Sequence, residues 1–369
     1  SNHNNERIDE YYWLNQRGNK KVIDYLNSEN SYRDGYMKDY KKMEKDIFLE
    51  IKSRIKEKDS SVPYYDNGYY YYTRYEKDKQ YPIYCRKKES LKSEEEVLID
   101  ANIMSKGHEY FRVGSIDISP DNKIMAYSVD TVSRRLYTIY FMDLDTRKIY
   151  EEKIPNTSGS ITWANDNKTI FYNNKDIETL RTERVMKYKI NTDGIGSEVY
   201  YEEDETFSVF SYKTKTDKYI IIGSSATLSQ EYRYLDANTP DGQFKIFQER
   251  IKGLEYSIDH YMDKWYIRTN KDNATNFKLM TCEENKTNSN QWKDYISHRE
   301  NIFFEDIEVF SNYLVITERE NGLRKIEIRP WNGKENHHIS FEEEIYSLYS
   351  SANPQLNTDK FRYSYSSMT

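Results

Sequence analysis

Serine is the residue that would mark hydrolytic chemistry here, because a nucleophilic serine often sits in a G-x-S-x-G turn. The nearest match, Gly223-Ser224-Ser225, continues into Ala226 and Thr227, so the second glycine of the motif is missing. It follows an apolar run, which favours a strand end and a turn. The sequence has no P-loop, G-x-G-x-x-G or H-E-x-x-H either. We predict no assembled catalytic site and no cofactor in this chain.

Histidine and cysteine could bind a metal, but their spacing does not favour a site. The neighbours His337-His338 should point to opposite faces of a strand and cannot chelate one ion without distortion. Asp259-His260 resembles a catalytic dyad in composition, yet neighbours on a strand diverge in the same way. Cys85 and Cys282 are too few for a disulfide framework and lack C-x-x-C spacing. We predict no metal site, a structural His260 and two isolated thiols.

Charged residues cluster in three segments between predicted strands. Arg134-Arg135 closes one predicted strand, and Glu109 lies in the long approach to the same group of strands. A long hairpin further along the chain carries Glu178, Arg181, Glu183 and Arg184. Such loops are usually just solvated, but ligand and interdomain contacts also concentrate in them. Both interpretations stay open at this level.

The composition is that of a globular protein, and it excludes two classes of partner. The 369 residues carry 55 Lys and Arg against 62 Asp and Glu, a net charge of −7. A nucleic-acid binder needs a basic face to neutralise phosphates, so we predict no nucleic-acid partner. The longest apolar run, near Tyr219-Ile220-Ile221-Ile222, falls far short of the roughly 18 residues of a membrane helix. We therefore predict no membrane partner and consider cationic ligands better suited.

The first 62 residues have helical periodicity. Apolar residues recur at steps of three or four, which places them on one helix face; they are Tyr36, Tyr40, Met43, Ile47, Ile51 and Ile55. A shorter helix is predicted around Val22, Ile23 and Leu26. Residues 1–62 carry 13 basic and 12 acidic side chains, so the acidic excess, −8, belongs to residues 63–369.

From Pro63 onward, short β-branched and aromatic runs alternate with turns, which predicts strands. One type of turn recurs, beginning at Asp66, Asp121, Asp166, Asp217, Asp263, Ser311 and Asp359. The successive spacings are 55, 45, 51, 46, 48 and 48 residues, which suits units of four short antiparallel strands. We predict an all-β, seven-bladed β-propeller; a pair of β-sandwich domains is the alternative.

The seventh unit has sequence for two strands, near Ile345–Tyr349 and Phe361–Ser366. An unfinished sheet would expose a hydrogen-bonding edge, which promotes aggregation. We therefore expect the chain to be part of a longer polypeptide, with the last blade incomplete.

Several strings resemble the oligopeptidase B branch of the prolyl oligopeptidase family of serine peptidases, in collinear order over essentially the whole chain. They are Arg7–Leu14, Tyr25–Asn30, Ser133-Arg134-Arg135, Trp163–Asp166, Glu255–His260, Arg299–Ile302 and Tyr363–Thr369. Members of this family carry an N-terminal helical segment, a seven-bladed propeller and a C-terminal α/β-hydrolase domain. The resemblance implies that residues 1–62 are the helical segment, with a hinge near 56–62, and that residues 63–369 are the propeller.

The same resemblance implies an activity that needs more than this chain. The Ser, Asp and His of the triad would lie in a hydrolase domain following Thr369, which would be the partner of the propeller. This chain alone would be inactive. The parent protein would cleave short cationic peptides after Lys or Arg through an acyl-enzyme, in the cytoplasm or, if a signal peptide precedes, in the periplasm. The propeller would exclude folded proteins, and hinge opening would admit substrate.

Four residues are candidates for substrate gating or interdomain salt bridges by this resemblance. Glu109 and Arg135 match family positions implicated in salt bridges between the propeller and the catalytic domain. Arg134 and Arg181 are weaker candidates for the same face. Ion pairs that become desolvated on closure can bias a two-state hinge, whereas exposed pairs contribute little.

A stand-alone propeller used as a binding or scaffolding module is the competing hypothesis. A scaffold should complete its last blade, and the apolar stripe from Tyr40 to Ile55 has no obvious partner in a propeller. If the stripe pairs with a hydrolase domain, this chain should expose it and bind a hydrophobic dye or self-associate.

Overall fold

The computed structural model describes residue 4 and residues 6–192 and 196–368. Backbone contacts divide the chain into two units, Ser1–Asp59 with Glu76–Asp78, and Ser60–Tyr75 with Lys79–Thr369. The first unit is helical, and the second is made almost entirely of β-strands. None of the described helices combines the length and apolar character needed to cross a membrane.

The helical unit contains α1 (Lys20–Tyr36) and α2 (Lys41–Ser53), with short 3₁₀ turns at Tyr12–Asn15 and Met37–Tyr40. The Asn19 side chain caps α1 by accepting a hydrogen bond from the Lys21 amide at 2.9 Å. The predicted apolar stripe is not on one helix, because Tyr36 ends α1, Tyr40 lies in the second 3₁₀ turn and Ile55 follows the end of α2. Its other three residues, Met43, Ile47 and Ile51, form a face of α2 and are about half accessible. The described residues of this unit leave about half of that face of α2 exposed.

Six antiparallel sheets form the described part of the β unit. The first contains β1 (Tyr64–Asp66), β2 (Tyr69–Arg74), β3 (Ile83–Lys88) and β4 (Glu96–Asp100). The second contains β5 (Arg112–Ile118), β6 (Ile124–Asp130), β7 (Tyr137–Asp143), β8 (Ile149–Trp163), β9 (Thr169–Lys175), β10 (Thr182–Lys189) and β11 (Ser197–Tyr201). Short helix α3 (Ala101–Met104) connects these two sheets.

The remaining four sheets follow in chain order. They contain β12 (Ser208–Lys213), β13 (Tyr219–Ala226), β14 (Ser229–Asp236) and β15 (Lys245–Gln248); β16 (Tyr256–Tyr261), β17 (Lys264–Thr269), β18 (Lys278–Glu283) and β19 (Lys293–Ile296); β20 (Ile302–Val309), β21 (Tyr313–Glu320), β22 (Leu323–Pro330) and β23 (His337–His338); and β24 (Tyr346–Ser350) with β25 (Tyr363–Ser367). Two further 3₁₀ turns occur at Lys271–Asn273 and Ser289–Gln291. Neighbours in sequence are neighbours in each sheet.

The sequence predicts seven units, but the described residues form six sheets. The difference arises because strand β8 is shared by the second and third units. Its first half pairs with β7, and its second half pairs with β9. Thr157 pairs with both Tyr137 and Asn174, and its hydroxyl donates to the Tyr137 carbonyl at 3.0 Å. The second and third sequence units are therefore fused into one seven-stranded sheet.

Each of the seven recurring turns lies between the first and second strand of its unit. Several of them are hydrogen-bonded to the turn of the next unit. The Asn122 side chain donates to the Asn67 carbonyl at 3.1 Å, and the Asn165 side chain donates to the Asp217 carbonyl at 2.8 Å. The Asp121 amide donates to the side chain of Asn167 at 2.8 Å. These side chains connect consecutive units at one end of the sheets.

Large side chains fill the spaces between neighbouring sheets. Trp265 of β17 is fully buried, and its ring packs 5.0 Å from Tyr219 and 5.5 Å from Tyr234 of the preceding sheet. Phe247 completes this cluster, 5.2 Å from Trp265. Because the apolar core is divided among such interfaces, many aromatic rings are needed, which accounts for much of the tyrosine content.

The last sheet contacts the segment that leads into β1. Arg362 donates hydrogen bonds to the carbonyl of Val62, at 2.8 Å, and to that of Pro63. A hydrogen bond from a charged donor to a carbonyl contributes more than one between two neutral groups. This contact joins residues 300 positions apart in the chain.

Candidate functional site

Three of the predicted charged segments lie at one end of the sheets. Arg112 at the start of β5 pairs with Asp130 at the end of β6, so residues 105–111 and the loop 131–136 share that end. Ser60, just before β1, bridges to Arg74 at the end of β2 and marks the same end of the first sheet. The recurring turns occupy the opposite end. We call the end formed by Ser60, residues 105–111, the loop 131–136 and the hairpin 176–181 the upper edge.

Glu109 and Arg135 are both exposed at the upper edge. Within the described residues, neither side chain makes an ion pair or a hydrogen bond to another group. Exposed, unpaired charges are free to pair with another surface at little cost. The structure thus leaves both side chains available, on adjacent segments of the same edge.

The loop that carries Arg134 and Arg135 is held by a buried carboxylate. Asp130 is fully buried and accepts hydrogen bonds from the amides of Val132, at 2.8 Å, Ser133, at 3.1 Å, and Arg135, at 2.7 Å. The Arg134 guanidinium reaches the Ile177 carbonyl at 3.5 Å, which brings this loop to the hairpin 176–181.

Arg181 is used inside the β unit. Its guanidinium donates to the carbonyls of Glu202 and Phe207, at 3.2 and 3.0 Å, and to the Glu183 carboxylate at 3.1 Å. A further bond reaches the Asp204 carbonyl at 3.4 Å. Unlike Arg135, this side chain is half-buried, and both of its terminal nitrogens are engaged in hydrogen bonds.

A buried charge cluster next to Arg181 escaped the sequence analysis. Glu202 is buried and accepts hydrogen bonds from Arg250, at 2.6 Å, from Tyr200, at 2.8 Å, and from Ser224. Burial alone would raise the pKa of Glu202, but the hydrogen bonds from Arg250, Ser224 and Tyr200 outweigh it and lower the pKa to about 2. Ser224 is therefore the buried donor to a carboxylate, in keeping with the predicted strand end.

His260 has the structural role predicted for it. It is buried between the rings of Tyr219 and Trp265, with both centroids 5.0 Å away. Its ring nitrogens lie 3.1 Å from the Thr216 hydroxyl and 2.9 Å from Glu284. Burial lowers the pKa of His260, which favours the neutral ring.

The structure also gives the surroundings of the other residues whose types can bind a metal. Cys85 and Cys282 are buried and unpaired. In the described part of the chain, one group of three metal-type ligands lies close together: Glu318, Glu327 and His338. Its two carboxylates are paired with arginines, Arg299 and Arg329, which compete with any cation.

A cavity of about 1170 Å³ is lined by the first strands of several sheets. Asp66, Asp117, Lys213, Lys215 and Asp217 supply its charged lining. Burial, together with the neighbouring Asp66, raises the pKa of Asp117 to about 7, and Lys213 opposes part of this shift. Lys213 pairs with Asp217 at 2.8 Å, and Lys215 pairs with Glu308 at 3.0 Å. Asp66 and Asp117 form no ion pair with either lysine among the described residues, although Lys213 is close enough to oppose part of the rise in the pKa of both.

One residue in the sequence, Asp117, indicates this cavity, although it is not among the predicted site residues. Asp117 interrupts the apolar run Ile116-Asp117-Ile118 on β5, whose neighbouring strand β6 is buried. An acidic residue in such a run marks a face turned toward water or a ligand. The Glu202–Arg250 pair gave no comparable signal, since its partners lie 48 positions apart.

Comparison with known proteins identifies relatives over the whole chain. It is 38% identical over 385 residues to dipeptidyl aminopeptidase BI of Pseudoxanthomonas mexicana, covering 100% of this chain and 53% of that protein. It is 30% identical over 374 residues to Protease 2 of Moraxella lacunata, covering 99% of this chain and 53% of that protein. The chain spans about half the length of these relatives.

Solved structures of oligopeptidases superpose on nearly the whole chain. Oligopeptidase B from Leishmania major superposes with a TM-score of 0.90 at 31% identity, covering 98% of this chain and 53% of that one. Oligopeptidase B from Trypanosoma brucei gives a TM-score of 0.89 at 25% identity over the same shares of the two chains. The family described as prolyl oligopeptidase, N-terminal beta-propeller domain, matches residues 1–369. The β-sandwich alternative is thereby wrong, and the chain belongs to this propeller-domain family of the prolyl oligopeptidases.

Proposed function

We propose that this chain is the substrate-gating part of a serine oligopeptidase that cleaves short peptides after Lys or Arg, with seven blades in its propeller. The observation that carries the proposal is the similarity over the full chain to proteins named as peptidases, at about half of their length. The catalytic Ser, Asp and His would then be supplied by a hydrolase domain, as partner of the propeller, and this chain alone would be inactive.

The cavity is suited to a gating role for cationic peptides. Its volume of about 1170 Å³ accommodates an extended chain and excludes a folded protein. The charged lining consists of three aspartates and two lysines, so the cavity has a small acidic excess, which grows as Asp117 ionises near pH 7. An acidic excess in a cavity raises the local concentration of cations. Basic peptides would therefore be favoured over acidic ones at this surface.

The upper edge is suited to contact with the hydrolase domain. Glu109 and Arg135 are exposed there, and both side chains have their charges free within the described residues. Pairing them with opposite charges on closure would stabilise the closed state. Arg134 is adjacent and partly engaged, whereas Arg181 would have to give up its internal hydrogen bonds to take part.

The test compares this chain with the longer protein that we propose, using blocked peptide amides with Arg, Lys, Pro or Ala before the scissile bond. We expect no hydrolysis by this chain, and hydrolysis after Arg and Lys, abolished by a serine-directed inhibitor, by the longer protein. Hydrolysis after Pro alone would contradict the proposed specificity. A longer protein that binds basic peptides without cleaving them would favour the binding-module hypothesis.

A further inference from the structure

We propose that Asp130 is a positioning residue: its buried carboxylate fixes the loop 131–136 so that Arg135 and Arg134 face the partner domain. This inference rests on the proposed function, because it assigns the loop a role in domain closure. It concerns a residue that carries no exposed charge itself and that the sequence analysis did not single out.

The carboxylate of Asp130 is stabilised mainly by hydrogen bonds from the loop, and the Lys175 ammonium adds an electrostatic attraction. Asp130 is fully buried, and among the described residues no Lys or Arg pairs with it. One oxygen accepts from the amides of Val132 and Ser133, at 2.8 and 3.1 Å, and the other accepts from the Arg135 amide at 2.7 Å. A buried carboxylate is costly unless such bonds satisfy it, so the loop and Asp130 stabilise each other.

The backbone of the loop is unfavourable without this support. Ser133 and Arg135 both have left-handed backbone angles, with φ of 67° and 56°. Residues with a Cβ atom rarely adopt this conformation, and glycine would adopt it readily. The hydrogen bonds to Asp130 offset the cost of this backbone conformation.

A second contact holds the loop from the neighbouring unit. The Lys175 ammonium at the end of β9 donates to the Arg135 carbonyl at 3.0 Å. The Arg134 guanidinium in turn reaches the Ile177 carbonyl. With Asp130 on one side and Lys175 on the other, the Cα of Arg135 is fixed while its side chain remains exposed. A prepositioned cation loses less conformational freedom on pairing with a carboxylate.

The test is a double-mutant cycle in the longer protein, with kcat/KM on an Arg peptide as readout. We expect Asp130→Asn and Arg135→Ala each to lower kcat/KM about tenfold, and the double variant to be no worse than Arg135→Ala alone. Both variants should also flatten the dependence of kcat/KM on ionic strength, which a merely structural defect would not do. Additive losses, or an unchanged Asp130→Asn enzyme, would overturn the inference.

Asp166→Asn is the matched control. Asp166 likewise accepts two turn amides, from Lys168 at 3.0 Å and Thr169 at 2.8 Å, but it lies at the opposite end of the sheets. We expect this variant to keep the wild-type kcat/KM and its ionic-strength dependence.

A second measurement separates this inference from the proposed function. Trypsin cleaves after Arg134 and Arg135 only if the loop can leave its fixed conformation. We expect Asp130→Asn to speed cleavage there at least tenfold in the longer protein, and Asp166→Asn to leave it unchanged. A wild-type protein without peptidase activity defeats the proposed function, whereas unchanged trypsin cleavage in Asp130→Asn defeats the loop inference.

Discussion

Replacing Asp117 in the cavity by asparagine should make the protein more stable, by an amount that grows as pH rises from about 4 to about 7 and is constant above that. Burial beside Asp66 raises the pKa of Asp117 from 3.8 to about 7 in the folded protein. An acid whose folded pKa is raised destabilises the fold as pH rises from the unfolded value to the folded one. Below that range both states bind the proton, and Asp117 resembles a neutral asparagine.

The magnitude follows from the two pKa values. The difference between 3.8 and about 7 corresponds to about 4 kcal/mol, at about 1.4 kcal/mol for each tenfold change. This is a ceiling, because Asp117 is half-buried and water in the cavity screens part of the interaction. We expect Asp117→Asn to unfold at a higher temperature than wild type at about pH 8, and to match it at about pH 3.5.

The assay is thermal unfolding of both proteins across this pH range, with Asp145→Asn as control. Asp145 is exposed in the turn between β7 and β8, so its replacement removes a carboxylate from solvent alone. Asp117→Asn should gain stability between about pH 4 and pH 7, whereas Asp145→Asn should not. A constant difference in unfolding temperature between Asp117→Asn and wild type at all pH values would contradict this prediction.

Three further predictions address other features. The exposed face of α2 should make this chain bind a hydrophobic dye, and Ile47→Lys with Ile51→Lys should reduce the fluorescence at least severalfold; a dye-silent wild-type chain would count against an uncovered face. Glu202→Gln should lower the free energy of unfolding by about 3 kcal/mol at neutral pH and by little at about pH 2. The reason is that the lowered pKa of Glu202 stabilises the fold above pH 4.5, and this contribution is lost as the pH falls toward 2. Equal losses at both pH values in thermal unfolding would contradict this prediction. Gly223→Ala should destabilise by about 1–3 kcal/mol in the same assay, since a Cβ there would collide with the Phe210 ring, and an unchanged melting temperature would show that the ring moves aside freely.

The recurring turns were predictable from sequence because turn formation is local. Asn67, Asn122 and Asn167 each adopt left-handed backbone angles, with φ of 41°, 63° and 61°, and asparagine tolerates this conformation better than most residues. These asparagines lie in three of the seven recurring turns from which the repeat was read. The helical face of α2 was predictable for a similar reason, since its spacing of apolar residues reports the helix directly.

Strand β8 was not predictable in this way. Pro155, Asn156 and Gly159 favour a loop, yet the strand continues through them with shifts in register. What holds it is the Thr157 hydroxyl bond to Tyr137 and pairing on both sides, which depend on distant strands. Likewise, the charged residues of the upper edge could be listed from the sequence. Whether each one is hydrogen-bonded within the β unit depends on contacts between distant residues, such as those of Arg181.

The shared strand β8 has a consequence for how the propeller could be rearranged. The other passages between sheets lie outside the strands, as in the largely exposed loop 339–345 between β23 and β24. New termini at such a loop would leave every strand pairing intact, so circular permutation should succeed there. A cut at Thr157 would instead sever a strand that is paired on both sides, and the second and third units would lose their common strand. These two units are therefore expected to be inherited, duplicated or transplanted together.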